Sequence, residues 1–168
     1  YVIAALNDDK PYDRFVLEQL AGDELQDAST ETVLATGYLR VGPWDAERGA
    51  SVQQSELTAE RYNELDDMVS TTSMVFLGLT MGCARCHSHK FDPLTARDYY
   101  SMAAIFHPLE RSRDGRIELF VPAVPPSVIK KNPELQTPRG YFLREVAGKI
   151  PETRLLKRGN PAQPGAIV

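Results

Sequence analysis

The clearest hydrophobic pattern in the chain runs through Tyr62, Leu65, Val69, Thr72, Phe76 and Leu79, with steps of 3, 4, 3, 4 and 3 residues. That spacing lays one mostly apolar stripe along a helix of about five or six turns. Upstream, "DKPYDRFVLEQLAGDEL" predicts a helix with Pro11 near its first turn, an apolar face of Phe15, Val16 and Leu20, and a stop near Gly22. "ASTETVLATGYLR" predicts a second short helix, capped by Ser29 or Thr30 and ended at Gly37. Between them and the long helix, Gly42, Pro43 and Gly49 mark a loop in which Trp44 is expected to anchor surface to core. Downstream, Thr95 with Asp98 three residues on forms a capping-box pattern ahead of Tyr99, Met102, Ala103 and Phe106.

Beyond residue 107 the pattern changes. Nine of the twelve prolines lie there, and "RIELFVPAVPP" and "RGYFLREVAGKIPETRLLKRGNP" predict short strands joined by turns. The expected fold is therefore mainly α: a helical domain over residues 1–107, then a Pro-rich segment of short β strands over 108–168.

Composition narrows the class. At 168 residues, 42% hydrophobic and 25% charged, the chain is long enough for a core of respectable size. No apolar run is long enough for a membrane span, and a net charge of −4 gives no reason to expect nucleic acid. The charge is uneven: residues 1–67 hold 15 acidic against 5 basic side chains, and residues 68–168 hold 8 against 14. Solvated faces and mutual attraction account for this asymmetry; a basic surface around the cysteines would also suit anionic groups such as haem propionates. The chain opens inside an apolar, helix-like pattern and closes without a terminal signal, which gives the expectation of an internal piece of a longer protein.

The chemistry is concentrated in "GLTMGCARCHSHKFDPLT", which contains both cysteines and two of the three histidines. Cys83-Ala84-Arg85-Cys86-His87 spells C-x-x-C-H. Two thiols three positions apart match the two vinyl groups of haem: each S–H adds across one C=C, its sulfur bonding one carbon and its hydrogen the other. The next imidazole, His87, then becomes the proximal iron ligand. Three rivals stay open at this level. A zinc site would have to use Cys83, Cys86, His87 and His89, a set crowded into too short a stretch for an unstrained tetrahedron. A redox dithiol normally follows a strand, whereas a long helix precedes this motif. Buried, inert cysteines are the third. If the segment continues as a helix, His87 and His89 point to opposite sides, leaving His89 for a structural hydrogen bond or a propionate. Arg85, His89, Lys90 and Arg97 are candidates to meet propionates, and Met102, Met81 and His107 are candidate distal ligands. No catalytic residue can be assigned.

The same residues carry a resemblance. "KPYDRFVLEQLAGDEL", the run from Glu60 to Phe106 and the tail "LLKRGNPAQPG" resemble the planctomycete-type cytochrome c-like domain family, whose function is not established. The matching positions include Asp66-Asp67-Met68-Val69, Thr71-Thr72, Cys83, Cys86, His87, His89-Lys90-Phe91-Asp92-Pro93 and Asp98-Tyr99-Tyr100. The resemblance implies a cytochrome c-like fold, covalent haem c with its iron held by His87, and electron transfer. It also implies a bacterial, periplasmic or otherwise extracytoplasmic multi-domain protein, whose partner is a redox protein or a neighbouring cytochrome domain of the same polypeptide. Met74, Met81 and Met102 match no fixed position of that pattern. The alternatives are a share in an extracytoplasmic oxidoreductase or polysaccharide-related enzyme, or a haem-free metal or disulfide scaffold.

Overall fold

The structure is a computed structural model that describes residues 1–43, 53–114, 117–145, 148 and 150–168. Trp44 lies outside the described residues, as does most of the loop around it. The helices are α1 (Val2–Asn7), α2 (Tyr12–Ala21), α3 (Thr30–Ala35), α4 (Gly37–Arg40), α5 (Gln54–Thr72), α6 (Ala96–Phe106) and α7 (Pro126–Lys131), accompanied by short strands in two-stranded sheets. Helix dominates a mixed α/β content. The chain groups into two compact units, residues 1–41 with 110–144, and residues 42–109 with 145–168.

In the first unit, α2 packs on α3 and α4. Ser29 caps α3: its side chain accepts from the Thr32 N–H while the Thr32 hydroxyl accepts from the Ser29 N–H. Gly37 does not end this helix as its spacing predicts. The break falls one residue earlier, at Thr36, whose hydroxyl donates to the Val33 carbonyl at 2.8 Å and competes with the helical ladder; Gly37 then opens α4. Gly22, just past α2, sits where a Cβ would lie 2.0 Å from the Thr32 carbonyl oxygen, so only glycine permits that approach.

The buried residues of α2 are Glu18 and Gln19, while Phe15, Val16 and Leu20 are only half buried. Glu18 is tolerated because Lys10 (2.5 Å), Arg14 (2.6 Å) and the Tyr1 hydroxyl (2.8 Å) all donate to its carboxylate. Two strand pairs follow, Arg113–Asp114 with Ile117–Glu118 and Val121–Pro122 with Arg139–Gly140, both antiparallel. Val33, Ala123 and Phe142 form a buried cluster with Val121 against it. The predicted β character of this region is present but interrupted by α7, which the sequence reading missed. Pro126 at its first turn, after Pro125, is the signal that identifies it.

The second unit is built on α5. Leu65, Val69 and Thr72 of the predicted stripe are buried, and Tyr62, Phe76 and Leu79 are half buried. The regular helix stops at Thr72, one wider π turn carries the chain through Ser73–Leu77, and Gly78 at φ +67° ends it in the left-handed conformation. A short 3-10 helix, Met81–Arg85, then packs on both α5 and α6. Helix α6 begins with the expected capping box: the Thr95 hydroxyl accepts from the Asp98 N–H while Asp98 accepts from the Thr95 N–H. Thr95→Ala is expected to destabilise the chain by about 1 kcal/mol, read as a lower midpoint of denaturant unfolding. At the far end of α6, Arg61 on α5 donates to the carbonyls of Phe106, His107 and Leu109, tying the two helices together. The segment Arg154–Leu156 lies against α6 and pairs antiparallel with Pro164–Ile167.

Candidate functional site

The C-x-x-C-H motif straddles the end of the 3-10 helix. Cys83 lies inside it and Cys86 caps it. In a 3-10 helix three residues make one turn, so side chains at i and i+3 align. Both cysteines are free and exposed, which excludes buried, inert thiols. Ala84, between them, is fully buried, and Met81 ahead of them is buried. The segment is thus anchored on its inner side while the sulfurs face solvent.

Arg85 is the residue through which the motif is fixed. Its guanidinium pairs with Asp66 at 3.2 Å and donates to Asn63 at 3.2 Å, both on α5. Its carbonyl accepts from the Tyr100 hydroxyl at 3.0 Å. Asp66 also accepts from the Tyr99 hydroxyl at 2.6 Å. Tyr99 and Tyr100 are both essentially inaccessible and meet edge to face, with ring centroids 4.8 Å apart. Burial raises both phenol pKa values; that of Tyr100 reaches about 12, so both hydroxyls stay protonated donors at neutral pH. Asp66, Tyr99 and Tyr100, three of the positions noted in the sequence, therefore form a scaffold that holds the motif segment. Arg85 belongs to that scaffold rather than being an open cation.

The two histidines of the motif segment differ sharply. Helix ends at Arg85, so the helical geometry assumed for His87 and His89 does not apply. His87 is exposed, and its Nδ1–H donates to the Ser88 carbonyl at 2.8 Å. A carbonyl only accepts, so the proton sits on Nδ1 and the Nε2 lone pair is left open. A ligating histidine commonly has this tautomer and this backbone restraint. His89 is the opposite case. Its Nδ1 accepts from the backbone N–H groups of Phe91 (3.3 Å) and Asp92 (2.8 Å), so Nε2 carries the proton and donates to the Thr80 hydroxyl at 3.0 Å. The Asp92 carboxylate lies 3.3 Å from Nδ1, but a nitrogen already accepting two N–H bonds has no proton to offer, and we assign no ion pair. Both nitrogens of His89 are committed to holding the turn after the motif.

The remaining candidates are dispersed. Lys90 lies over the Phe91 ring, 5.2 Å from its centroid, and Arg97 is exposed on α6. Met102 is half buried on α6, and His107 Nδ1 is engaged with the Thr153 hydroxyl at 2.7 Å. Among the described residues no three His, Cys, Asp or Glu side chains gather as metal ligands, so the four residues weighed for a zinc tetrahedron are not assembled as one. Phe91, at 84% exposure, and Met74, Val75 and Leu77 on the preceding π turn are large apolar side chains left in solvent on either side of the motif in sequence.

One neighbour comes from the tail "LLKRGNPAQPG", to which the sequence assigns no place at the motif. Lys157–Gly159 forms a tight turn in which Arg158 (φ +53°) and Gly159 (φ +71°) are both left-handed. It lies against the motif: a Cβ on Gly159 would be 2.8 Å from Cys86 Sγ and 3.4 Å from Arg85 Cγ. Leu156, next to this turn, is buried.

Sequence comparison adds a family but no characterised relative. The pattern of PSCyt2, described as a protein of unknown function (DUF1549), matches residues 1–111. No curated protein and no solved structure matches.

Proposed function

We propose that this chain, which belongs to the PSCyt2 family of planctomycete-type domains of unknown function, holds haem c covalently through Cys83 and Cys86, with His87 as the proximal iron ligand. The observation that carries the reading is the state of the three side chains together. Two free thiols are exposed three residues apart, Cys83 within one short helix and Cys86 at its end, and His87 beside them has its Nδ1–H restrained and its Nε2 open. The residues fit the group: its vinyl carbons need accessible thiols and its iron needs a neutral imidazole nitrogen.

When bound, the haem supplies one-electron chemistry, for which electron transfer to a redox partner or a neighbouring cytochrome domain is the function we assign. The chain's own residues do the positioning. Asp66, Asn63 and Tyr100 fix Arg85 between the thiols, while His89 pins the turn that follows. Exposed Met74, Val75, Leu77 and Phe91 are apolar surface of the kind a porphyrin face covers. An extracytoplasmic location belongs to the same proposal: exposed paired thiols would oxidise there unless haem captured both sulfurs.

The test is extraction. After expression beside a haem c maturation system, acidified acetone should leave the red chromophore with the wild-type chain and remove essentially all of it from Cys83→Ala/Cys86→Ala. Chromophore extracted equally from both chains would sink covalent attachment. A disulfide between Cys83 and Cys86 in folded, colourless wild-type protein would instead favour the haem-free scaffold.

A further inference from the structure

The family match ends at residue 111, yet the turn that touches Cys86 lies at residues 157–160. We infer that this turn is a wall of the Cys86 site, and that Gly159 is a positioning residue: having no side chain, it leaves the Cys86 Sγ free to meet the group that bonds there. In its application to haem the inference rests on the covalent reading above; the contact itself does not.

Three observations converge on it. The would-be Cβ of Gly159 falls 2.8 Å from Sγ, inside the distance that non-bonded carbon and sulfur tolerate, with Arg85 Cγ and Nε in ordinary contact at 3.4 and 3.6 Å. Arg85 is itself held by Asp66, Asn63 and Tyr100, so yielding falls chiefly to the thiol. The turn is not free to retreat either. The adjacent Leu156 is buried, and Lys157 N–H donates to the Gln163 carbonyl at 3.0 Å. A methyl at 159 therefore displaces Sγ from its rotamer. Among the described glycines, none has Cys83 beside its would-be Cβ. The two thiols of the motif are thus unequal: Cys86 reacts in a site completed by the tail.

The experiment uses the full chain, haem-free, with one cysteine present at a time. In Cys83→Ala background, Gly159→Ala should slow iodoacetamide alkylation of Cys86 at least fivefold. In Cys86→Ala background it should leave the Cys83 rate unchanged. Gly78→Ala is the control for backbone strain, because Gly78 has φ +67° but nothing within 4 Å of its would-be Cβ. It should alter neither rate. Unchanged Cys86 alkylation in folded Gly159→Ala, or an equal slowing by Gly78→Ala, would overturn the proposal.

Gly159→Cys in the Cys83→Ala background is a second test should Gly159→Ala not fold. A Cβ this close to Sγ suits a disulfide. With oxidised glutathione as oxidant, the two thiols lose two hydrogens and two glutathione thiols form. An 86–159 bridge, faster in native buffer than in guanidinium, is expected; no bridge in native buffer would refute the contact. Finally, Gly159→Ala with both motif cysteines intact, expressed with haem maturation, should retain one alkylatable thiol per chain after denaturation where the wild type retains none. If neither chain takes haem, the covalent reading fails while the alkylation and bridging results still decide this one.

Discussion

His87→Ala is expected to keep the haem on the chain yet shift its visible spectrum, with free imidazole in the buffer restoring the wild-type one. The thioethers would need only the two thiols, whereas holding the iron would fall to Nε2 of His87, the imidazole nitrogen left open by the Nδ1–H bond to Ser88. His89→Ala should give the reverse. Its imidazole accepts from two backbone N–H groups and donates to Thr80, so its removal is expected to cost about 1–3 kcal/mol of stability and leave the spectrum unchanged. Spectra of the two variants beside denaturant unfolding separate the roles. An altered spectrum in His89→Ala with an unaltered one in His87→Ala would reverse the assignment.

The second large effect is on stability, in the other unit. Glu18→Ala is expected to destabilise the chain by about 3 kcal/mol, the scale for removing one partner from a buried ion pair. The Glu18 side chain is only 4% exposed and takes bonds from Lys10, Arg14 and Tyr1. Lys10 and Arg14 retain Glu31 and Asp27, but those carboxylates are exposed and compensate little. Burial by itself pushes the Glu18 carboxyl upward. The hydrogen bonds from Lys10, Arg14 and Tyr1 outweigh it and hold the pKa below the usual value.

A depressed carboxyl pKa stabilises the fold fully above the unfolded value, about 4.3, and that contribution is lost as pH falls through the folded value. Hence the stability gap between wild type and Glu18→Gln should be largest near neutral pH and shrink below about pH 4. Lys10 works at the opposite end. Raised to about 12, chiefly by its bond to Glu18, it contributes below the unfolded value of about 10.4 and loses that contribution as pH rises through 12. Urea midpoints of both chains at several pH values measure the acid limb. A gap that does not change between pH 7 and pH 3 would contradict it.

What the sequence made legible was local. Ser29 and Thr95 announce their helices because a cap and its partner lie within one turn, and the stripe through Leu65 and Val69 is readable because helical period alone places it. The same logic misplaced the end of α3. A hydroxyl at Thr36 reaching back to Val33 stops the ladder before Gly37, and a glycine by itself does not say on which side the break falls. It also favoured Phe15, Val16 and Leu20 as the buried face of α2, where the structure buries Glu18. Its donors come from Tyr1, Lys10 and Arg14, and no hydropathy pattern registers such a cluster.

The site divides in the same way. C-x-x-C-H is visible at a glance, because the chemistry demands adjacency in sequence. The parts that hold it are not, since Asp66, Tyr100 and Gly159 reach Arg85 or Cys86 only through the packing of α5, α6 and the tail. Arg85 looked like an open cation and is a structural one. His89, expected to make a structural hydrogen bond or meet a propionate, makes structural hydrogen bonds in the turn. Both distinctions depend on which atom holds which proton or partner.

The denaturing intact mass of the wild-type chain, expressed in a periplasm beside a haem c maturation system, tests the central claim most directly. The account predicts a mass higher by one haem in protein that is folded before denaturation. The bare polypeptide mass, from folded protein made where a control cytochrome matures normally, would contradict it.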